Sequence, residues 1–230
     1  MSEGPRIRHQ EAVAVAEELR RRWNLARGSA VLSSHCFVVG SVRRQRAEVG
    51  DLEIVAPLPA CWRTMKLAAA DDPLFQRINA TVTNPWRDEA APLFAAESPA
   101  PEQPLGSAIR GLKPGFLACS LVLRPWPGVE IPCQVYRYTP ENLGWMLIER
   151  TGPREFGMWF LGAWKRRYGI PIGVDGRQAS IDNHLVDGGG RVVPVWSEEE
   201  AFRLAGERYV PPEDRDAFMA RLQASREALR

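Results

Sequence analysis

The stretch Phe37-Val38-Val39-Gly40-Ser41-Val42-Arg43-Arg44, followed closely by Asp51-Leu52-Glu53-Ile54-Val55, decides the fold of this chain. Its first three residues predict a short buried strand, which Gly40-Ser41 ends in a turn whose backbone N–H groups can face an anion. The second part predicts another strand, in which side chains alternate between two faces, so that Asp51 and Glu53 share one face. The sequence therefore predicts an anion-binding turn next to a pair of carboxylates.

The shared face of Asp51 and Glu53 predicts a metal site. Two carboxylates on one face repel each other unless a cation lies between them, and hard oxygen ligands suit Mg²⁺ or Mn²⁺ that still holds substrate phosphates. Such a pair alone is more often a solvated strand edge. Because G-S-x-R-R precedes it, we interpret the pair as the outline of a nucleotidyl-transfer site.

Three further motifs follow in order along the chain. They are Arg150-Thr151-Gly152-Pro153-Arg154-Glu155-Phe156, Ser197-Glu198-Glu199-Glu200-Ala201-Phe202 and Tyr209-Val210-Pro211-Pro212-Glu213-Asp214-Arg215. Together with the first stretch they resemble the palm and thumb signatures of the DNA polymerase X family, the DNA polymerase beta-like nucleotidyltransferases. The resemblance runs from about residue 10 to residue 215, with an unmatched gap near residues 84–110.

The resemblance implies an α+β fold in two parts. Residues 1–140 would form a nucleotidyltransferase palm with a mixed β-sheet, helices on one face and an irregular insertion at about 84–110. Residues 141–230 would form a small helical thumb with a minor β-hairpin near residues 181–195. The implied activity is transfer of a nucleoside monophosphate from a (d)NTP to a DNA 3′-hydroxyl, with a DNA primer-template as partner and with Mg²⁺ or Mn²⁺ as cofactor.

The resemblance also assigns site residues. Asp51 and Glu53 would bind the metal, although the family more often has Asp at the second position. The nucleotide would be held by Gly40, Ser41, Arg44, Arg150 and Gly152. Arg43 is expected to face solvent or to have a structural role.

The third carboxylate of the family has no match. Residues 138–144 resemble the family's V-x-P-P-E-x-F-G, which places Gln134 where the third Asp is expected. Glutamine coordinates weakly and cannot accept a proton at neutral pH. Glu130 lies roughly 13 Å away along the strand at about 3.3 Å per residue, too far to substitute without a bulge or a different alignment. An impaired member that only binds nucleotide or nucleic acid is therefore an alternative, as is an enzyme with a non-nucleic-acid acceptor.

The thumb turn departs from the family as well. The usual aromatic pair before Thr-Gly becomes Glu149-Arg150, and the usual Asn after Phe becomes Gly157. The resemblance therefore implies that nucleotide selection is altered or lost.

Composition excludes several classes of protein. The net charge of +2 argues against a generally basic nucleic-acid coat, so local clusters would have to bind any DNA. No apolar run is long enough to span a membrane, and no leader is evident, so we expect a cytoplasmic enzyme with no membrane partner. The four cysteines lack C-x-x-C spacing and are expected to be buried thiols. The oligomeric state is not predicted.

Local patterns predict the remaining elements. Helices are expected at 12–23, 57–70, 141–148 and 155–168, and strands at 30–32 or 36–39, 115–123 and 129–138, with a turn at 125–128. Ser197 and Glu200 predict a capping box, and Gly188-Gly189-Gly190 predicts a hairpin tip. Trp145, Trp159 and Trp164 are expected to pack in the core, and Lys165-Arg166-Arg167 to be a solvated helix end.

Overall fold

The computed structural model describes residues 6–27, 36–57, 94–95, 117–123, 129, 131–171 and 179–228. The chain divides into two compact units. The sheet unit comprises Met1–Val38 and Ala47–Arg137, and the helical unit comprises Val39–Arg46 and Tyr138–Arg230. The predicted strand at 30–32, the helix at 57–70 and the turn at 125–128 lie outside the described residues, as does the 84–110 insertion apart from residues 94–95.

A mixed five-stranded sheet forms the centre of the sheet unit. Its order is β2-β4-β7-β6-β5, with strands β2 Phe37–Val39, β4 Leu52–Ala56, β5 Phe94–Ala95, β6 Leu117–Leu123 and β7 Ile131–Arg137. Strands β4 and β7 run parallel, whereas β6 is antiparallel to both β7 and β5. The predicted strands at 36–39, 115–123 and 129–138 are thereby confirmed.

Helix α1, His9–Arg27, begins directly after strand β1, Ile7–Arg8. Strand β1 pairs antiparallel with β3, Glu48–Val49. The helix buries an apolar stripe at the spacing of one helical face, formed by Ala12, Val15, Ala16 and Leu19. The amphipathic helix predicted at 12–23 is confirmed.

Among the described residues, the helical unit contains most of the helices and one small hairpin. In chain order its elements are α2 Gly40–Arg43, a 3₁₀ turn Pro140–Asn142, α3 Leu143–Thr151, α4 Arg154–Arg167, β8 Ser180–Ile181, β9 His184–Leu185, α5 Glu198–Ala205, a 3₁₀ turn Pro212–Asp214 and α6 Arg215–Ala228. The residues Asp182 and Asn183 between β8 and β9 have φ of 47° and 56°, as a tight hairpin turn requires.

An aromatic cluster forms the core of the helical unit. Trp145 and Trp164 are fully buried, and Trp145 stacks on Phe160 with ring centroids 5.8 Å apart. Trp164 satisfies its indole N–H by donating to the Val186 carbonyl at 2.8 Å. Trp159 packs against the same core. The predicted packing role of these tryptophans is confirmed.

The capping box, the glycine turn and the charged helix end that the sequence predicts in the helical unit are also confirmed. Ser197 Oγ accepts from the Glu200 N–H at 3.2 Å, and the Glu200 carboxylate accepts from the Trp196 N–H at 2.9 Å, which opens α5. The glycines at 188–190 form a turn that Asp187 closes by accepting from the Gly189 N–H. Lys165 to Arg167 form the last turn of α4.

Two further observations concern the described part of the chain. None of its helices is long and apolar enough to cross a bilayer. Cys36 and Cys133 are buried, as predicted.

Candidate functional site

Asp51 directly precedes strand β4, and Glu53 is the second residue of that strand. Leu52 and Ile54 are fully buried, whereas Asp51 and Glu53 are half-buried. This alternation has the period of two that a strand imposes, so the carboxylates share the more open face while the apolar residues enter the core. The structure therefore places Asp51 and Glu53 on one face.

Gln134 lies on β7 directly beside Glu53. In the parallel pairing of β4 and β7, Glu53 is the partner of Gln134 and Leu52 is the partner of Cys133. Registered neighbours in a parallel pair point to the same face, so Gln134 joins the acidic face while Cys133 is buried with Leu52. The Tyr136 hydroxyl donates a hydrogen bond to Gln134 Oε1. Glu130, the other candidate for the third acid, lies outside the described residues.

The donor set on this face fits one hard cation. Two carboxylates with an amide oxygen alongside are ligands that Mg²⁺ accepts when substrate phosphates and water complete its shell. Within the described ranges no group of three or more His, Cys, Asp and Glu side chains gathers. The assignment of an ion to Asp51 and Glu53 stays a prediction.

The glycine-serine segment belongs to the helical unit, and where the sequence predicted a turn the structure has the short helix α2, Gly40–Arg43, followed by a turn. Residues 40–46 are called the glycine-serine loop below. Gly40 has φ of 68°, which favours glycine. The Arg44 N–H donates to the Gly40 carbonyl at 3.2 Å, and the Arg46 N–H donates to the Ser41 carbonyl at 3.1 Å. Ser41 Oγ is buried and has no hydrogen-bond partner in the part of the chain that the structure describes. An unsatisfied hydroxyl in a loop rich in arginine fits a phosphate oxygen as its missing partner.

Arg44 is fixed by contacts within the helical unit. Its Nη1 donates to the Thr151 carbonyl, and its Nε lies 3.4 Å from Asp216 Oδ2. Gly152 has φ of 64°, and a Cβ atom there would lie 3.1 Å from Arg44 Nη1. A glycine at 152 therefore allows both the backbone conformation and the close approach of the guanidinium.

Arg43 contributes to a buried ion network. Its guanidinium donates to the Thr151 hydroxyl at 2.9 Å and to the carboxylate of Glu198. The other oxygen of Glu198 accepts from Arg215 Nη2 at 2.6 Å. Arg215 and Glu198 are buried, and the Arg215 guanidinium also stacks on the Phe156 ring at 4.7 Å. Burial lowers the pKa of Arg215, and the charge of Glu198 opposes that change.

This network brings together residues from four separate motifs. Sequence reasoning gave Arg43 a solvent-facing or structural position, and the structure gives it the structural one. It missed the roles of Glu198, Arg215 and Asp216. The sequence carried no signal that singled them out, because Glu198 stands beside two further glutamates and Arg215 follows Glu213 and Asp214.

Glu149 and Arg150 form a pair at the end of α3. Arg150 Nη2 lies 3.3 Å from Glu149 Oε2. Burial raises the pKa of the Glu149 carboxyl above its ordinary value, and the Arg150 charge offsets part of that rise. A charged pair thus lies directly before Thr151 and Gly152, the residues that contact the arginines of the loop.

The solved structures include one that is similar over most of this chain. It is Leishmania infantum polymerase beta, crystallised as a ternary P/T complex, with 16% identity, a TM-score of 0.58 and coverage of 93% of this chain and 77% of that chain. The chain therefore has an α+β fold like that of polymerase beta, with a mixed-sheet palm followed by a small helical thumb with a minor hairpin, as predicted. No family model and no curated protein matches the sequence.

Proposed function

We propose that this chain is a polymerase-X-like nucleotidyltransferase that transfers a nucleoside monophosphate from a (d)NTP to a DNA 3′-hydroxyl, with release of pyrophosphate and with Mg²⁺ or Mn²⁺. The observation that carries the proposal is the acidic face of β4, where Asp51 and Glu53 lie with Gln134 in register beside them. The polymerase beta-like fold supports it, because the fold suits a site of this composition.

Each residue has a chemical task in this proposal. Asp51 and Glu53 would hold the ion, which when bound neutralises phosphate charge and activates the attacking hydroxyl. Ser41 Oγ donates to a phosphate oxygen, and the Arg44 guanidinium offsets the charge of the triphosphate. Gly40 allows the backbone to approach the phosphates closely. Arg150 and Gly152 are assigned to the nucleotide by the same resemblance.

Gln134 favours a second candidate function. Its amide oxygen already accepts from Tyr136, and an amide cannot take the proton of an attacking hydroxyl at neutral pH. A chain with this residue could bind nucleotide or nucleic acid and turn over slowly. The second candidate is therefore an impaired member of the family.

Turnover and binding assays separate the candidates. Purified protein is incubated with each labelled triphosphate, with Mn²⁺ or Mg²⁺ and with a panel of primer-templates, and extension is read on gels. The proposal predicts primer extension that Asp51→Asn reduces by about 10²–10³-fold or more. Calorimetry should show loss of metal-dependent triphosphate binding in the same variant.

Glu48→Gln is the matched control, because Glu48 is an exposed acid of the same unit that pairs only loosely with Arg6 at 3.8 Å. Binding without extension would favour the impaired member, and labelling of a small hydroxylated compound or of a protein would indicate another acceptor. Unchanged triphosphate affinity and metal dependence in Asp51→Asn would reject the site.

A further inference from the structure

Two arginines of the glycine-serine loop share one carboxylate. Asp216 Oδ2 lies 3.4 Å from Arg44 Nε and 3.2 Å from Arg46 Nε. Two guanidiniums and one carboxylate leave this cluster with one surplus positive charge. Because Arg46 is 56% exposed and Asp216 is 28% exposed, that charge is open to an anion from solvent.

The backbone holds Arg46 next to Arg44. Gln45 has φ of 58°, a left-handed conformation that turns the chain back after Arg44. The Gln45 N–H donates to the Val42 carbonyl at 3.0 Å, and the Arg46 N–H donates to the Ser41 carbonyl at 3.1 Å. The turn therefore fixes the backbone from which the exposed Arg46 side chain extends.

Arg44 retains donor capacity within the cluster. Its Nη1 donates to the Thr151 carbonyl and its Nε faces Asp216. Its Nη2 has no partner among the residues that the structure describes. A guanidinium with an unused N–H edge beside a second guanidinium matches the several oxygens and the double charge of a terminal phosphate.

We propose that Arg44 and Arg46 together bind the terminal phosphate of a triphosphate, and that Asp216 is an internal competitor which the phosphate displaces. This inference rests on the proposed function and extends it to Arg46 and Asp216. A terminal phosphate carries up to two negative charges, whereas Asp216 carries one. Two guanidiniums therefore favour the phosphate over the carboxylate once the ligand arrives.

The charge of the cluster predicts that Arg46→Gln and Asp216→Asn change the affinity for an anion in opposite directions. Arg46→Gln lowers the charge of the cluster from +1 to zero and removes one fork of donors, so anion binding weakens. Asp216→Asn keeps the size of the side chain, removes the competing charge and raises the cluster to +2, so anion binding tightens. If Asp216 instead served to position the guanidiniums, its removal would weaken binding.

Calorimetry of the full chain with inorganic tripolyphosphate tests this. We expect Arg46→Gln to weaken binding by about fivefold and Asp216→Asn to tighten it by a similar factor, because contacts of half-exposed charges are modest. Arg46→Lys should retain most of the affinity. Arg6→Gln, which removes an exposed arginine of the sheet unit, is the control and should leave the affinity unchanged. Circular dichroism verifies that each variant is folded.

The outcomes separate this inference from the proposed function. Opposite shifts for Arg46→Gln and Asp216→Asn support the anion site even if no triphosphate is turned over. Unchanged affinity in Arg46→Gln, or weaker binding in Asp216→Asn, overturns the anion site even if primer extension depends on Asp51.

Discussion

The acidic strand β4 and the glycine-serine loop of residues 40–46 position their polar side chains by different means. In β4, backbone register alone sets which residues share a face, and Glu53 meets Gln134 because two parallel strands are paired. In the loop, a long-range ion pair to Glu198 and hydrogen bonds to Thr151 fix the arginines. Side chains of a strand alternate between its two faces with a period of two, so this arrangement is visible in a short segment of sequence. Ion pairs between residues 155 or more positions apart leave no local pattern.

The largest expected effect is on the rate of primer extension when Gln134, the register partner of Glu53, is replaced. Gln134→Asp adds an anionic ligand and a possible proton acceptor next to Glu53, and general-base help of this kind is worth about 10²–10⁴-fold in rate. Primer extension should accelerate by that order while triphosphate affinity, measured by calorimetry, changes little. The comparison with Gln134→Glu, which keeps the side-chain length, tests whether the position of the new carboxylate matters.

If the natural chain extends a primer rapidly and Gln134→Asp leaves that rate unaltered, then Gln134 does not stand in the place of a missing catalytic carboxylate. Glu130 would then be the next residue to replace. Tyr136→Phe is the control for loss of the hydroxyl that donates to Gln134 Oε1.

The sequence predicted the acidic strand well for a physical reason. Alternation of Asp51, Leu52, Glu53 and Ile54 is a local property, and a strand converts it directly into two faces. The sequence did not predict that residues 39–46 belong with the helical unit. That grouping reflects contacts with distant segments, such as the ion pair of Arg43 with Glu198, and a pairing between distant charges cannot be read from either segment alone. The roles assigned to Arg44, Arg150 and Gly152 stay predictions, as does the domain boundary at residue 140.

The second prediction removes the main ion pair that holds the loop. Glu198→Gln leaves the buried guanidinium of Arg215 and that of Arg43 without their shared carboxylate, and an uncompensated buried charge costs about 3–5 kcal/mol. The free energy of unfolding of the helical unit, measured in urea by tryptophan fluorescence, should fall by that amount. Glu199→Gln is the control, because Glu199 is exposed one position away on the same helix. Equal losses in the two variants would show that Glu198 does not hold the loop.

The smallest expected effect concerns Glu149, whose burial disfavours the ionised form of its carboxyl. Glu149 lies two residues before Thr151, which contacts the arginines of the loop. Because the pKa of Glu149 is raised in the folded chain, the protonated form is favoured there. Its stabilising contribution is complete below the pKa of the unfolded chain, about 4.3, and is lost as pH rises through the folded pKa. Ionised Glu149 therefore costs stability at neutral pH.

Glu149→Gln removes that cost, but the variant also loses the attraction of Arg150 at 3.3 Å, so the net gain in the free energy of unfolding should stay below about 1 kcal/mol. Urea unfolding at pH 7 and pH 4 measures it: the variant should be the more stable chain at pH 7, and its advantage should shrink as pH falls to 4. A variant that is less stable at pH 7, with the deficit vanishing at pH 4, would mean that the Arg150 pairing outweighs burial, and that this charged pair stabilises the end of α3 as the pairs of Glu198 stabilise the loop.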